Sequence, residues 1–457
     1  MKKKICIVLI ALLLGGGLFY FLKSHKKSSI IIILIDALRK DHLSCYGYGR
    51  NTSPNIDKFA SEAIKFDNCV STCSWTSPSV ASLFTSLYVS SHGLMTHSNK
   101  DTDILPLELV TLAELLKENG YATAAFVANR WIREEFNYNQ GFDLFKQVGT
   151  SFRPSAATVR EKAIAWLHSK PNKPFFLYLH FMDVHGPYLP PYPYNTLFTS
   201  ETQRELSLEE YEKLRYLKIQ NQTDLNFYIN QYDGGIKYCD YHIGKILNYL
   251  REEGLFKEAA IIITSDHGEA FFEHGACDHG FTLYNEEINV PLFLKLPASC
   301  DAIIMQNIKT QLIDLGVTIA HLIGATFPYK VDGINLITKN TQADNGQRRK
   351  RLYSEEYMKG FPKIAMIEKG MKYIFHSAEK RIVEVFDLNE DQGELNNMMN
   401  AHNHISYEHI EKDISEWSTM KNNWKMKTIK EQQKAVIDPD TLEHLKSLGY
   451  IHNRSQD

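Results

Sequence analysis

The chain has little net charge. Its 457 residues carry 51 Lys and Arg against 54 Asp and Glu, a formal balance of −3. That leaves no basic footprint for nucleic acid, and no such partner is expected. Internal repeats are absent, which excludes solenoids and propellers. Only one apolar run approaches membrane length, Ile5 to Leu22, between Met1-Lys2-Lys3-Lys4 and Lys23-Ser24-His25-Lys26-Lys27. No small-x-small cleavage pattern follows it, and Cys6 stands too early for a lipoprotein box. The run reads as an uncleaved signal anchor over residues 1–28, with a cleaved signal peptide as the alternative. Cysteine gives no framework. Six of seven (Cys45, Cys69, Cys73, Cys239, Cys277 and Cys300) lie beyond Cys6 and the run, and their spacing reveals no pairs. Buried free thiols are the plainer reading.

What is present points to an α/β protein. Hydrophobic content of 44% is ordinary for a folded chain, and the length suffices for one large domain and a smaller one. Ile30 to Ile35 and Ala259 to Thr264 are β-branched apolar runs that read as buried parallel strands. Thr123 to Ala128 and Pro174 to Phe181 read as two more. Helices are expected from Pro54, with Ile56, Phe59, Ala60, Ala63 and Ile64 on one face, over Leu112, Leu115 and Leu116, and from Tyr232 to Leu250. Thr196 to Asn230 is polar and helix-prone; it reads as a plain surface helix, with an insertion over the sheet that serves as a lid as the alternative. Lys339 to Arg351 reads as a linker. Strand patterns at Ala365–Ile367, Lys372–Phe375 and Val383–Asp387 then suggest a small antiparallel sheet.

Ligands bind at the carboxyl ends of such strands. Asp36 follows the first run at once, and Asp266-His267 follow the second after one residue. Two distant strand tips thus present two carboxylates and an imidazole, a candidate divalent-metal site. Capping of following helices by the aspartates is the bland alternative. Ser74-Trp75-Thr76-Ser77-Pro78 precedes apolar residues at helical spacing, so Thr76 falls at or just before a helix N-terminus. Backbone N–H groups and the dipole there favour an anion. A hydroxyl so placed beside a metal is a candidate nucleophile, or else merely a cap.

The order of further motifs resembles the sulfatase family of the alkaline phosphatase superfamily. Asp36 to Leu43, Tyr46-Gly47-Tyr48, Thr52 to Asp57, Leu112 to Lys117, Gly120 to Thr123, His185-Gly186-Pro187-Tyr188, His274-Gly275, His279-Gly280, Phe386 to Asp391 and Leu442 to Tyr450 all carry it. The resemblance implies an alkaline-phosphatase-like, doubly wound, mostly parallel sheet flanked by helices over 29–335. A small C-terminal α+β subdomain with antiparallel strands would occupy 336–457. It also implies a catalytic domain outside the cytoplasm, anchored to the membrane by its N-terminal helix.

One departure outweighs the matches. The family carries Cys or Ser two residues before the motif proline and converts it to formylglycine, usually with Arg two residues after the proline. Here those positions are Thr76 and Val80. Threonine cannot become an aldehyde, so no formylglycine is expected. A threonine nucleophile is similar instead to phosphoryl-transferring relatives, the nucleotide pyrophosphatases and the phosphoethanolamine and phosphoglycerol transferases.

The expected metal ligands are therefore Asp36, Thr76, Asp266 and His267, around one ion. The imidazole favours manganese or zinc over calcium or magnesium. The resemblance implies His279 as leaving-group acid, His185 as a contact to the transferred group, and His274, His97 or Asn99 as substrate contacts. Glu269 is expected to support from behind the ligands. Ala128-Asn129-Arg130 stands where sulfatases have a lysine. The expected activity is a hydrolase or transferase cleaving phosphate-type esters of a small molecule, lipid or glycan through Thr76. The alternatives are a sulfatase working without formylglycine and an inactive envelope binding protein. Retention of Asp36, Thr76, Asp266 and His267 together speaks against inactivity.

Overall fold

A computed structural model describes residues 27–95, 102–149, 155–171, 174–199, 222–305, 308–338, 349–357, 362–400, 406–430 and 432–435. Eight strands form the main sheet: β1 (Ile30–Ile35), β2 (Ile64–Val70), β3 (Ala122–Val127), β4 (Leu144–Gln147), β5 (Phe175–Phe181), β6 (Ala260–Thr264), β7 (Asn289–Lys295) and β8 (Thr310–Gln311). Their order is β8-β2-β7-β6-β1-β5-β3-β4. All neighbours pair in parallel except β7, which is antiparallel to both β2 and β6. β1 lies between β5 and β6 and is buried throughout, so its alternation serves two cores. Ile30, Ile32 and Leu34 join one core, Ile31, Ile33 and Ile35 the other.

The helices placed around this sheet are α1 (Pro54–Ala60), α2 (Thr76–Thr85), α3 (Leu112–Glu118), α4 (Ala156–His168), α5 (Gln222–Glu252), α6 (Asn285–Ile288) and α7 (Ile313–Ile323). α2 feeds Val80, Ala81, Leu83 and Phe84 into the first core. α5 feeds Tyr232, Ile236, Ile243 and Leu247 into the second. A Thr111–Glu114 capping box starts α3. A separate sheet joins β9 (Arg351–Glu356), β10 (Lys363–Glu368), β11 (Met371–His376) and β12 (Arg381–Asp387) in antiparallel order. Helix α8 (Glu408–Thr428) packs on it through Ile410 and Ile414.

Several expectations change. The helix from Pro54 stops at Ala60; Ala63 lies in the following turn and Ile64 opens β2. All six described cysteines are free. The membrane-anchored placement is corrected: among the described residues no helix is long and apolar enough to cross a membrane. The run Ile5 to Leu22 on which that placement rested lies outside the described residues. Most of the polar segment before α5 and most of the linker before β9 lie outside them as well.

Candidate active site

The carboxyl ends of β1 and β6 are neighbours, and this brings Asp36 to Asp266 and His267. All three are fully buried, and one ligand atom from each lies within 4.8 Å of the others. Each is oriented through its other atom. Asp36 Oδ2 accepts from Asn129 Nδ2 at 2.5 Å and pairs with His180 Nε2 at 2.9 Å. Asp266 Oδ1 accepts the N–H of His267 at 3.0 Å and of Ala37 at 3.3 Å. His267 Nδ1 donates to the Gly268 carbonyl at 2.8 Å. That bond leaves the lone pair on Nε2.

What remains is a converging set of acceptors. Asp36 Oδ1 and Asp266 Oδ2 are buried without a hydrogen-bond partner. They stand 3.5 and 3.6 Å from His267 Nε2. Three lone pairs aimed at one point, with no donor among them, fit a cation. Burial and the neighbouring Asp36 charge push Asp266 above its ordinary range. Burial would raise Asp36 too, but the His180 hydrogen bond and the surrounding imidazoles hold it well below the carboxylate range. The backbone turns sharply here: Ala37 has φ of 56°, a left-handed conformation that costs a non-glycine residue about 1–2 kcal/mol.

Thr76 is the first residue of α2, and no side chain caps that helix. Its Oγ1 lies 3.2 Å from His267 Nε2 and 3.2 Å from Asn129 Nδ2. α2 is tied to the metal loop directly, since Ser79 Oγ donates to the Asp266 carbonyl at 2.7 Å. Ser71 Oγ donates to the same carbonyl at 2.5 Å. Ser265 joins the two strand tips, accepting from Leu38 N at 2.9 Å and donating to the His267 carbonyl at 2.6 Å.

Two further histidines complete the cluster. The His279 ring lies 4.3 Å from that of His267 and 4.7 Å from that of His185. His279 Nδ1 faces Glu269 Oε1 and Asp278 Oδ1, both at 3.0 Å. Burial would lower its pKa, but these two carboxylates overcome that and raise it well above the ordinary histidine value. His185 moves oppositely: burial lowers it to about 3, and Nδ1 bonds the Gly186 carbonyl at 2.7 Å. His185 is therefore neutral near pH 7.

His274 is not part of this cluster. It lies in the turn of the hairpin Ala270–Phe271/Cys277–Asp278, and both ring nitrogens are engaged. Nδ1 meets Glu286 Oε1 at 2.6 Å and Nε2 meets the Glu394 carbonyl at 2.9 Å. It joins the main domain to the C-terminal subdomain and offers no nitrogen to a substrate. His97 and Asn99 lie outside the described residues.

Asn129 and His180 are functional candidates that the sequence reading passed over. Asn129 Oδ1 accepts from Trp131 N at 2.7 Å, which turns its amide NH2 toward Asp36 and Thr76. It acts there as a donor, not a ligand. His180 sits inside β5 and is held from behind by the Tyr178 hydroxyl at 2.9 Å.

Carboxylates and an imidazole aimed at one point, with a hydroxyl against them, suit the cleavage of an anionic ester. The class is a hydrolase that works with a bound metal. Comparison with known proteins gives the family. The sulfatase family model matches residues 28–325, and a model described as N-sulphoglucosamine sulphohydrolase, C-terminal, matches 272–423. The chain belongs to the sulfatase family, whose enzymes depend on metal, within the alkaline phosphatase superfamily. It is 22% identical to an N-acetylglucosamine-6-O-sulfatase of Bacteroides thetaiotaomicron, over 80% of this chain and 82% of that one. It is 23% identical to an arylsulfatase of Clostridium perfringens, over 80% and 89%. Its fold is that of a phosphonate monoester hydrolase of Agrobacterium radiobacter, with a TM-score of 0.68 at 19% identity, over 90% of this chain and all of that one.

Proposed function

We propose that Thr76 is the nucleophile of a hydrolase for phosphate-type esters. The observation that carries this reading is its position: a buried hydroxyl on the first residue of α2, 3.2 Å from His267 Nε2 and within reach of the Asn129 amide. A divalent ion held by Asp36, Asp266 and His267 would lower the proton affinity of the Thr76 hydroxyl and neutralise the ester's non-bridging oxygens. The mixed carboxylate and imidazole donors favour manganese or zinc.

The chain's own groups supply the rest. Asn129 donates to the Thr76 oxygen and keeps it aimed outward. The N-terminus of α2 faces the transferred group and stabilises its charge. Thr76 Oγ gives its proton to solvent water and forms the new bond to phosphorus while the bond to the departing oxygen breaks. His279, held protonated by Glu269 and Asp278, gives that oxygen its proton. Neutral His185 packs against His279 and borders the same space. The phospho-threonine is then hydrolysed, or passed to an acceptor alcohol in a transferase. The sugar sulfatases among the relatives favour a glycan as the group that carries the ester.

A formylglycine hydrate expels sulfate by elimination, and a threonine ester has no such exit. This is why phosphate-type esters are preferred over sulfate esters in the proposal. The test is turnover of aryl phosphate monoesters, diesters, phosphonate esters and sulfates, with intact-mass analysis after brief exposure. A phospho-adduct on the Thr76 peptide and near-complete loss in Thr76→Ala are expected. Robust sulfate-ester cleavage that survives Thr76→Ala would sink the assignment.

A further inference from the structure

The site is built on two loops, Asp266 to Glu269 and His279 to Thr282, and both are fastened to the short helix α6. Gly268 N donates to the Glu287 carbonyl at 2.8 Å, and Glu269 N to the Glu286 carbonyl at 2.9 Å. The approach is close enough that a Cβ on Gly268 would meet the Glu286 oxygen at 2.0 Å. Only glycine permits it. From the same helix the Glu287 carboxylate reaches the second loop. It accepts the N–H groups of Gly280, Phe281 and Thr282 at 2.8, 3.3 and 3.4 Å, and the Thr282 hydroxyl as well.

Glu287 is fully buried. Burying a carboxylate costs several kcal/mol before its hydrogen bonds are counted. Burial accordingly pushes the Glu287 carboxyl up to about 8, so near pH 7 it is largely protonated and acts through its hydrogen bonds. Three successive backbone N–H groups gathered on one oxygen, Glu287 Oε2, fix the path of the chain immediately after His279. We propose that Glu287 is a positioning residue for the proton transfer at His279. Its carboxylate holds the His279 loop while its backbone carbonyl holds the His267 loop, which sets the spacing between the two imidazoles. This rests on the reading of His279 as the leaving-group acid.

The test compares leaving groups in the metal-loaded enzyme. A 4-nitrophenyl ester departs with little need of a proton, whereas a phenyl or alkyl ester needs one. Loss of a general acid costs roughly 100-fold or more on the poor leaving group, so His279→Ala is expected to show that selective loss. Glu287→Gln keeps the size of the side chain but replaces one carboxyl oxygen with an NH2, which cannot accept from the loop. A loss of about 30-fold on the poor leaving group against about 3-fold on 4-nitrophenyl is expected, with KM and metal content near the wild type. Equal losses on both substrates would mean a structural role and overturn the proposal. If Glu287→Gln does not fold, Thr282→Val removes one of the same hydrogen bonds. It is expected to give a smaller loss, about 5-fold, with the same selectivity, and an unselective loss there overturns the proposal equally. A flat response of His279→Ala would instead remove the reading on which the proposal stands.

Discussion

Asp266→Asn separates the cost of the empty ligand set from the gain of filling it. Without a cation, two fully buried carboxylates and an imidazole share one point, and Asp36 Oδ1 and Asp266 Oδ2 have no partner. The asparagine keeps Oδ1 for the N–H groups of Ala37 and His267 and places an NH2 where Oδ2 stood. That NH2 is positioned to donate toward His267 Nε2 and Asp36. A hydrogen bond to a charged group is worth about 1.5–3 kcal/mol, so the variant should be more stable than the chelated wild type by roughly that amount. The wild type, in contrast, gains about 4 kcal/mol from metal at a thousand times its dissociation constant. At about 2 °C per kcal/mol for a chain of this size, chelation should lower the wild-type Tm by roughly 8 °C. Asp266→Asn should show no such drop, start a few degrees above the chelated wild type, and contain no metal by elemental analysis. The pH dependence has a definite sign. Asp266 is raised in the metal-free protein, so protons compete with metal for it as pH falls, and the metal-induced shift shrinks. Thermal scans with and without chelator, followed by manganese and zinc titration, read all of this. A full metal shift in Asp266→Asn, or a variant less stable than the chelated wild type, would refute the assignment of the ligands.

Two other expectations concern titration. Glu269 and Asp278 keep His279 protonated above the usual histidine range, so the falling limb of the kcat/KM profile for a poor leaving group should lie above pH 6.5, and Glu269→Gln should move it to lower pH with about a tenfold loss at pH 8; an unmoved limb would separate His279 from the chemistry. For His274, burial lowers the pKa, but the Glu286 hydrogen bond and the Glu394 carbonyl raise it net. Its contribution to stability is therefore present in full below about pH 6.5 and lost as pH rises through the raised value. His274→Ala should lower Tm more at pH 6 than at pH 9, by less than ~1 kcal/mol of pH-dependent stability after solvent screening, and leave kcat unchanged; lost turnover at constant stability would return His274 to the site.

The sequence shows the strand tips because β1 and β6 are buried on both faces and so read as unbroken apolar runs. It hides β7 for a physical reason. Pro291 breaks the pattern of a central strand, and the fold accommodates it at the register shift between Val290 and Leu292. His180 is hidden because a lone imidazole inside Phe175–Phe181 looks like any strand residue; only pairing with β1 brings it to Asp36. Asn129 is the most instructive miss. In sequence it is a departure from a lysine, and its value depends on a backbone contact no motif records, the Trp131 N–H that turns the amide around. That contact gives a discriminating experiment. Asn129→Asp keeps an oxygen for Trp131 N and loses only the donor, which it replaces with a second carboxylate oxygen where the amide now sits 2.5 Å from Asp36 Oδ2. If Asn129 serves only to shape its own turn, Asn129→Asp should be nearly silent and Asn129→Ala harmful. If its amide holds Asp36 and Thr76, both lose function. Asn129→Ala should then lose about 10–100-fold in kcat from the misplaced nucleophile. Asn129→Asp should lose more, because like charges at that distance force a proton into the site and disturb the ligand beside it. Measured kcat for the two variants, with metal content alongside, decides between these. Near-wild-type turnover in Asn129→Asp would take the amide out of the mechanism.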